Sequence, residues 1–392
     1  MGIYEERLKN LKDALAFRKP DRIPWASNVY NWVAVNSPYT LMDLLQNSAK
    51  VTESFCKLQE DYDFDTLFFT SLLTNYIEIT APLGGAAGHV IDNEKNSVQV
   101  KDISHLEYEE LGQFAENPTQ YAWTKLFARK FPEVLQGDTI GKIKESMQKM
   151  IEFTSVAAGE TARRLKEDYH AVPFAPAGIG TSPLLPADEL LNNYRGLRNT
   201  SRDMRKNPDY FEDVMNKLAQ SMLEPTRQAI LNSADGTDPT TFVDANTAMV
   251  CQTVMSRSQF DRFTWPHLKK ILDAISSKGK TIFIYAEGSS RHILDHYQDY
   301  PKGSILLYDE TDDIFELRKQ LPNVALFGGM PCTLLGKGTK EECENYAKHL
   351  IDELGRDGGF ILSQDKMVSF ASDCKAENLK AVSEVAHTYG VN

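Results

Sequence analysis

The sequence predicts an α/β chain folded as a single (β/α)8 TIM barrel over residues 1–392, with a hairpin and helical segment inserted between its second and third strands. Three observations predict it. Eight short apolar runs recur along the chain, most of them separated by helix-length segments. The runs are continuous rather than alternating, as expected for parallel strands buried on both faces. Small and polar residues gather just after run upon run, which is where a barrel builds its mouth. A chain of 392 residues is long for one domain, but barrels run from about 250 to beyond 400 residues with insertions.

The first element, residues 4–17, places Leu8, Leu11, Ala14 and Leu15 on one face and reads as an amphipathic helix. The stretch 18–24, with Pro20 and Pro24, stops it, because proline and the residue before it disfavour helix continuation. The strands are expected at 23–26, 66–70, 171–175, 240–243, 281–285, 304–308, 324–327 and 359–363. Segments between them are amphipathic, for example 211–223 and 340–354. The irregular stretch is 80–169. It opens on a glycine cluster at 84–88, continues through a hairpin ending at 98–100, and runs into charged helical segments over 140–167. We read it as an insertion packed over one end of the barrel. The glycine cluster lacks a following Lys-Ser/Thr and does not join a strand to a helix, so it reads as a turn, not a phosphate loop.

A net charge of −12 excludes the basic patches that nucleic acid or an anionic membrane would require. No apolar run approaches the ~18 residues of a membrane span, and residues 1–7 hold no apolar signal core. The five cysteines are scattered and never form a C-x-x-C pair. That pattern fits reduced thiols and a cytoplasmic location.

The residues after the runs supply the candidate site. Asn28, Tyr30, Ser71, Asn75, Asn246, Tyr285 and Met330 are candidate substrate-binding groups, and Glu287 and Asp244 are candidate catalytic groups. Paired carboxylates can divide acid and base roles or hold a divalent metal. Glu287 is the sharpest of them, since it ends a strongly apolar run and precedes Gly288-Ser289-Ser290. For Asp244 and Asp309, helix capping or pairing with a cation stands beside the functional reading. His292 and His296 are spaced to share a helix face, but Arg291, Asp295, Gln298 and Asp299 make that face a solvated one. Cys332 sits at a run's end without a histidine partner.

Several blocks resemble the uroporphyrinogen decarboxylase superfamily: residues 18–24 at the start, 254–271 in the middle, and 358–363 followed by 375–379 at the end. The resemblance implies a (β/α)8 barrel and a homodimer. The name-giving decarboxylase holds a substrate with many carboxylates through an arginine-rich loop after its first strand. Here Trp25-Ala26-Ser27-Asn28-Val29-Tyr30-Asn31-Trp32 carries no arginine. The family's aspartate after the second strand falls near Ser71, and its final histidine-glycine motif near Gln364-Asp365-Lys366. Burying several carboxylates without cations would cost several kcal/mol each.

The pattern is therefore nearer the superfamily's corrinoid-dependent methyltransferases, which use zinc and a corrinoid carried by a partner protein. Where the thiol-specific branch has His-x-Cys after the fifth strand, this chain has Tyr285-Ala286-Glu287, and Asp365 lies near the position of the branch's last cysteine. What the resemblance implies is an oxygen-rich metal set of Glu287, Glu310 and Asp365. The implied activity is an O-demethylase, moving a methyl group from a small aromatic methyl ether to a corrinoid protein. The alternatives are a cofactor-free decarboxylase of porphyrin metabolism and a non-catalytic binder of tetrapyrroles or corrinoid proteins.

Overall fold

The computed structural model describes residues 2–72, 76–85, 89–174 and 185–391. Asn75, residues 86–88 of the glycine cluster and the loop 177–181 lie outside the described residues. The chain is an α/β fold with parallel sheets, divided into two compact units. One comprises residues 1–101, 131–174 and 325–392, and the other 102–130 and 175–324. Its strands are β1 (Ala26–Ser27), β2 (Thr66–Leu67), β3 (His89–Asp92), β4 (Ser97–Val100), β5 (Val172–Pro173), β6 (Ala245–Met249), β7 (Ile282–Ala286), β8 (Ile305–Asp309), β9 (Ala325–Met330) and β10 (Phe360–Gln364).

In the first unit, β9 pairs with β10, β1 with β2 and β2 with β5, all parallel. A parallel bridge from Trp25 to Leu362 joins the two groups, so the run reads β9-β10-β1-β2-β5. Its foot is an ion-pair knot. Asp65, with no exposed surface, accepts Arg22 through both oxygens (3.0 and 2.6 Å) and the Trp25 amide at 2.8 Å. Arg7, from the first helix (Ile3–Leu15), reaches Asp65 at 3.5 Å and donates to the Phe64 carbonyl at 2.9 Å. Trp25 and Phe64 pack with tilted rings, their centroids 5.0 Å apart.

The second unit holds β6-β7-β8, also parallel. The sequence Ile282-Phe283-Ile284-Tyr285-Ala286 is buried along its whole length, as is β8. That explains why those runs are apolar without alternation.

The fourth strand departs from its expected place. It runs over Ala245–Met249, not 240–243. Asp238 accepts the Thr240 amide (2.7 Å) and hydroxyl (2.6 Å), an Asx turn that with Pro239 consumes the segment expected as strand. Pairing with β7 begins only when Asp244 and Ala245 donate to the Thr281 carbonyl.

The segment 80–169 contains the expected hairpin, β3 with β4 in antiparallel register, but it is divided between the units: 102–130 groups with the second and the rest with the first. In the first unit Asn96, at the hairpin's turn, donates to the Asn31 carbonyl (2.6 Å) and the Ser369 carbonyl (3.0 Å) in the loops beyond β1 and β10. The helical stretch 139–167 lies along the helix Ser48–Tyr62, with Thr161 hydrogen-bonded to Thr52 at 2.9 Å. No helix among the described residues is long and apolar enough to cross a membrane.

One close approach supports the loop after β10. In the short helix Cys332–Lys337, a Cβ on Gly336 would stand 2.0 Å from the Ser372 carbonyl oxygen. Gly336→Ala is expected to cost about 1–3 kcal/mol, as overpacking does, read as a lowered midpoint in urea unfolding.

Candidate active site

The ends of β6, β7 and β8 bring together the acids of the second unit. β7 delivers Glu287 immediately after Ala286, with its amide donating to the Met249 carbonyl at 2.9 Å. The Glu287 side chain is crowded by protein yet keeps exposed surface, as a group lining a cleft does. Burial first, then the charges of Glu310 and Asp188, push its carboxyl up to about 7.

Glu310 follows β8 and accepts the Tyr285 hydroxyl at 2.6 Å. Tyr285 is nearly buried and stacks on Tyr308 at 4.9 Å. Beside Glu310, Asp309 ties the loops together: it accepts the amides of Ser290 (3.0 Å), Thr311 (3.1 Å) and Asp312 (2.8 Å). Burial raises its carboxyl to about 6 against those amides.

Asp188 completes the group. It has no exposed surface, and its Oδ1 accepts the amides of Val250 (2.7 Å) and Cys251 (2.8 Å) where β6 ends. Burial lifts it to about 6, while the Cys251 thiol and the two amides pull the other way. Three carboxyl groups in one unit thus have their protonation moved toward neutral pH, a pattern found at sites of proton transfer.

Two expected residues fall elsewhere. Asp244 precedes β6 and so stands at the opposite end of the strand from Glu287. It is fully buried, accepts the amides of Thr281 (2.9 Å) and Asp238 (3.0 Å), and lies 3.5 Å from the Lys280 ammonium. These contacts anchor the start of β6, the pairing role that stood beside the catalytic one. Asn246 sits inside β6, across from Phe283, rather than in a loop. Cys251 and Gln252 carry no signal in the sequence because the strand before them, Ala-Asn-Thr-Ala-Met, lacks the apolar character that marks the others.

The remaining expected substrate-binding residues, with Asp365 and Cys332, lie in the first unit. Asn28 is buried, its amide donating to Gln364 Oε1 at 2.7 Å. Tyr30 packs on Phe69 at 4.7 Å, Ser71 is half-buried, and Met330 closes β9 with no exposed surface. Asp365 caps the helix Cys332–Lys337 by accepting the Cys332 amide at 2.9 Å. Burial pushes the Cys332 thiol well up, which removes it as a thiolate. In the second unit, His296 is engaged with Asp261 at 2.6 Å and lies flat on Trp265 at 4.0 Å.

Of the expected metal set, Glu287 and Glu310 belong to the second unit and Asp365, which accepts the Cys332 amide, to the first. No group of three or more potential ligands forms among the described residues.

Residues 138–389 match the family described as uroporphyrinogen decarboxylase. The chain is 27% identical over 141 residues to a uroporphyrinogen decarboxylase of Anaeromyxobacter dehalogenans (strain 2CP-C), 35% of this chain and 38% of that protein. To the corresponding protein of Anaeromyxobacter sp. (strain Fw109-5) it is 25% identical over 137 residues, again 38% of the relative's length. The similarity therefore spans well under half of these relatives. Among solved structures, a methyltransferase from Methanosarcina mazei aligns over 98% of both chains with a TM-score of 0.61 and 13% identity. That likeness is one of fold.

Proposed function

The chain belongs to the uroporphyrinogen decarboxylase family, and on that premise we propose that it is a methyltransferase of the corrinoid-dependent, O-demethylating kind. In this reading its eight parallel strands close into one (β/α)8 barrel, as the fold shared with the archaeal methyltransferase supports. The substrate is a small aromatic methyl ether.

The observation that carries the reading is Glu287: a carboxyl at a strand end, open to solvent and raised to about 7. Cleaving a methyl ether leaves an oxygen that must be protonated as the C–O bond breaks. Glu287 supplies that proton and is recharged from water. A corrinoid on a partner protein, when bound, supplies the nucleophile that takes the methyl group. Tyr285 holds Glu310 beside Glu287, so the like charge of Glu310 keeps the proton on Glu287 until the substrate needs it. Zinc belongs to the same branch; no group of three or more potential ligands forms among the described residues, and no step is assigned to it. The reading carries with it a cytoplasmic homodimer.

The sign of the pH dependence follows. The active form is protonated Glu287, so turnover should hold at acidic pH and fall as pH rises through about 7. A rate profile with a methoxylated aromatic and a methyl-accepting corrinoid protein checks it. Turnover that instead rises through that range would assign Glu287 the role of a base.

A further inference from the structure

We propose that Asp188 and Gln252 are positioning residues for Glu287, acting through the turn that follows β6. The functional half of this inference rests on Glu287 being the proton donor. The turn is fixed from below by one carboxylate oxygen, Asp188 Oδ1, which accepts the two consecutive amides of Val250 and Cys251. The next residue, Gln252, is itself fully buried, and its Nε2 donates to the Glu287 carbonyl at 2.9 Å. The Glu287 amide donates to Met249 at 2.9 Å. Both backbone faces of Glu287 are therefore gripped by residues 249–252, and those residues are held by Asp188. Gly288 tightens the grip: it has φ +80°, and a Cβ there would stand 2.7 Å from the Thr253 methyl group. The two loops can meet this closely only with glycine at that place.

Such a chain sets the direction in which Glu287 points, and proton transfer falls steeply with small misplacements of the donor. A buried carboxylate that only stapled a turn would lower stability when removed and reach Glu287 through its charge alone, which Asp188→Asn removes as fully as Asp188→Ala.

Three variants separate these cases. Gln252→Met removes the tie to Glu287 and keeps every charge; Asp188→Ala removes the anchor; Asp188→Asn restores an acceptor at Oδ1. The readouts are the ¹³Cδ resonance of Glu287 in glutamate-labelled protein, assigned by its loss in Glu287→Gln, and kcat against KM. Gln252→Met and Asp188→Ala should both displace the resonance and lower kcat about tenfold with KM nearly unchanged, and Asp188→Asn should recover most of both. If Asp188→Ala does not fold, Gln252→Met decides alone. A wild-type resonance and kcat in folded variants that merely melt earlier would overturn the proposal. Should Glu287→Gln itself keep its turnover, the proposed function fails, while the resonance still decides whether Asp188 and Gln252 hold this carboxyl.

Discussion

Glu287→Gln is expected to lower kcat by roughly a hundred- to ten-thousandfold, the usual reach of a general acid. Glutamine matches the side chain in size and keeps a donor, but its amide gives up no proton to a departing oxygen. KM should change little, because the lost interaction is made as the bond breaks. The same variant has a second signature, in stability. The carboxyl sits at about 7 in the folded chain against an ordinary value of 4.5. The folded state thus holds this proton more tightly than the unfolded one. Its contribution is complete below about 4.5 and is lost as pH rises through about 7. Glutamine, uncharged throughout, escapes that loss. The melting temperature of Glu287→Gln relative to wild type should rise between those two values and level off above them.

Asp65→Ala is the largest expected effect on folding. The carboxylate is completely buried, and the two guanidinium groups it serves, Arg7 and Arg22, are almost as deep. Removing it takes the carboxylate from Arg22, leaves Arg7 with Asp63 as its remaining carboxylate, and leaves the Trp25 amide without its acceptor. Breaking a buried pair by deleting one partner costs about 3–5 kcal/mol. For a chain of this size that corresponds to a melting temperature lower by roughly 4–6 °C. Lys57→Ala serves as the contrast. It removes an exposed i,i+4 pair with Asp61, and pairs of that kind are worth about 0.5 kcal/mol or less.

What the sequence made legible follows from how each element announces itself. β7, β8, β9 and β10 are apolar throughout or nearly so, because both faces are buried, and a reader of residues alone finds them. Glu287 was legible for the same reason: it is the first charge after such a run. β6 is built from Ala245, Asn246, Thr247, Ala248 and Met249, and its polarity let the neighbouring Thr-Thr-Phe-Val pass for the strand. That shift carried Asp244 and Asn246 to the wrong end of β6 and hid Gln252. Asp188 could not be read at all. Its partners are backbone amides 62 and 63 positions further along the chain, and an amide leaves no mark in a sequence. A carboxylate after a strand is as able to cap a helix as to meet a ligand, and Asp365, after β10, accepts the first amide of the helix that follows β9.

The central claim is that a methyl group leaves oxygen at a protonated Glu287. It is tested most directly by incubating the protein with an aromatic ether bearing a ¹³C-labelled methoxy group and a methyl-accepting corrinoid protein, and following the label. The account predicts free phenol and label on the corrinoid in equal amounts, with both absent for Glu287→Gln. Label that stays in the ether, together with conversion of uroporphyrinogen to coproporphyrinogen by the same preparation, would contradict it.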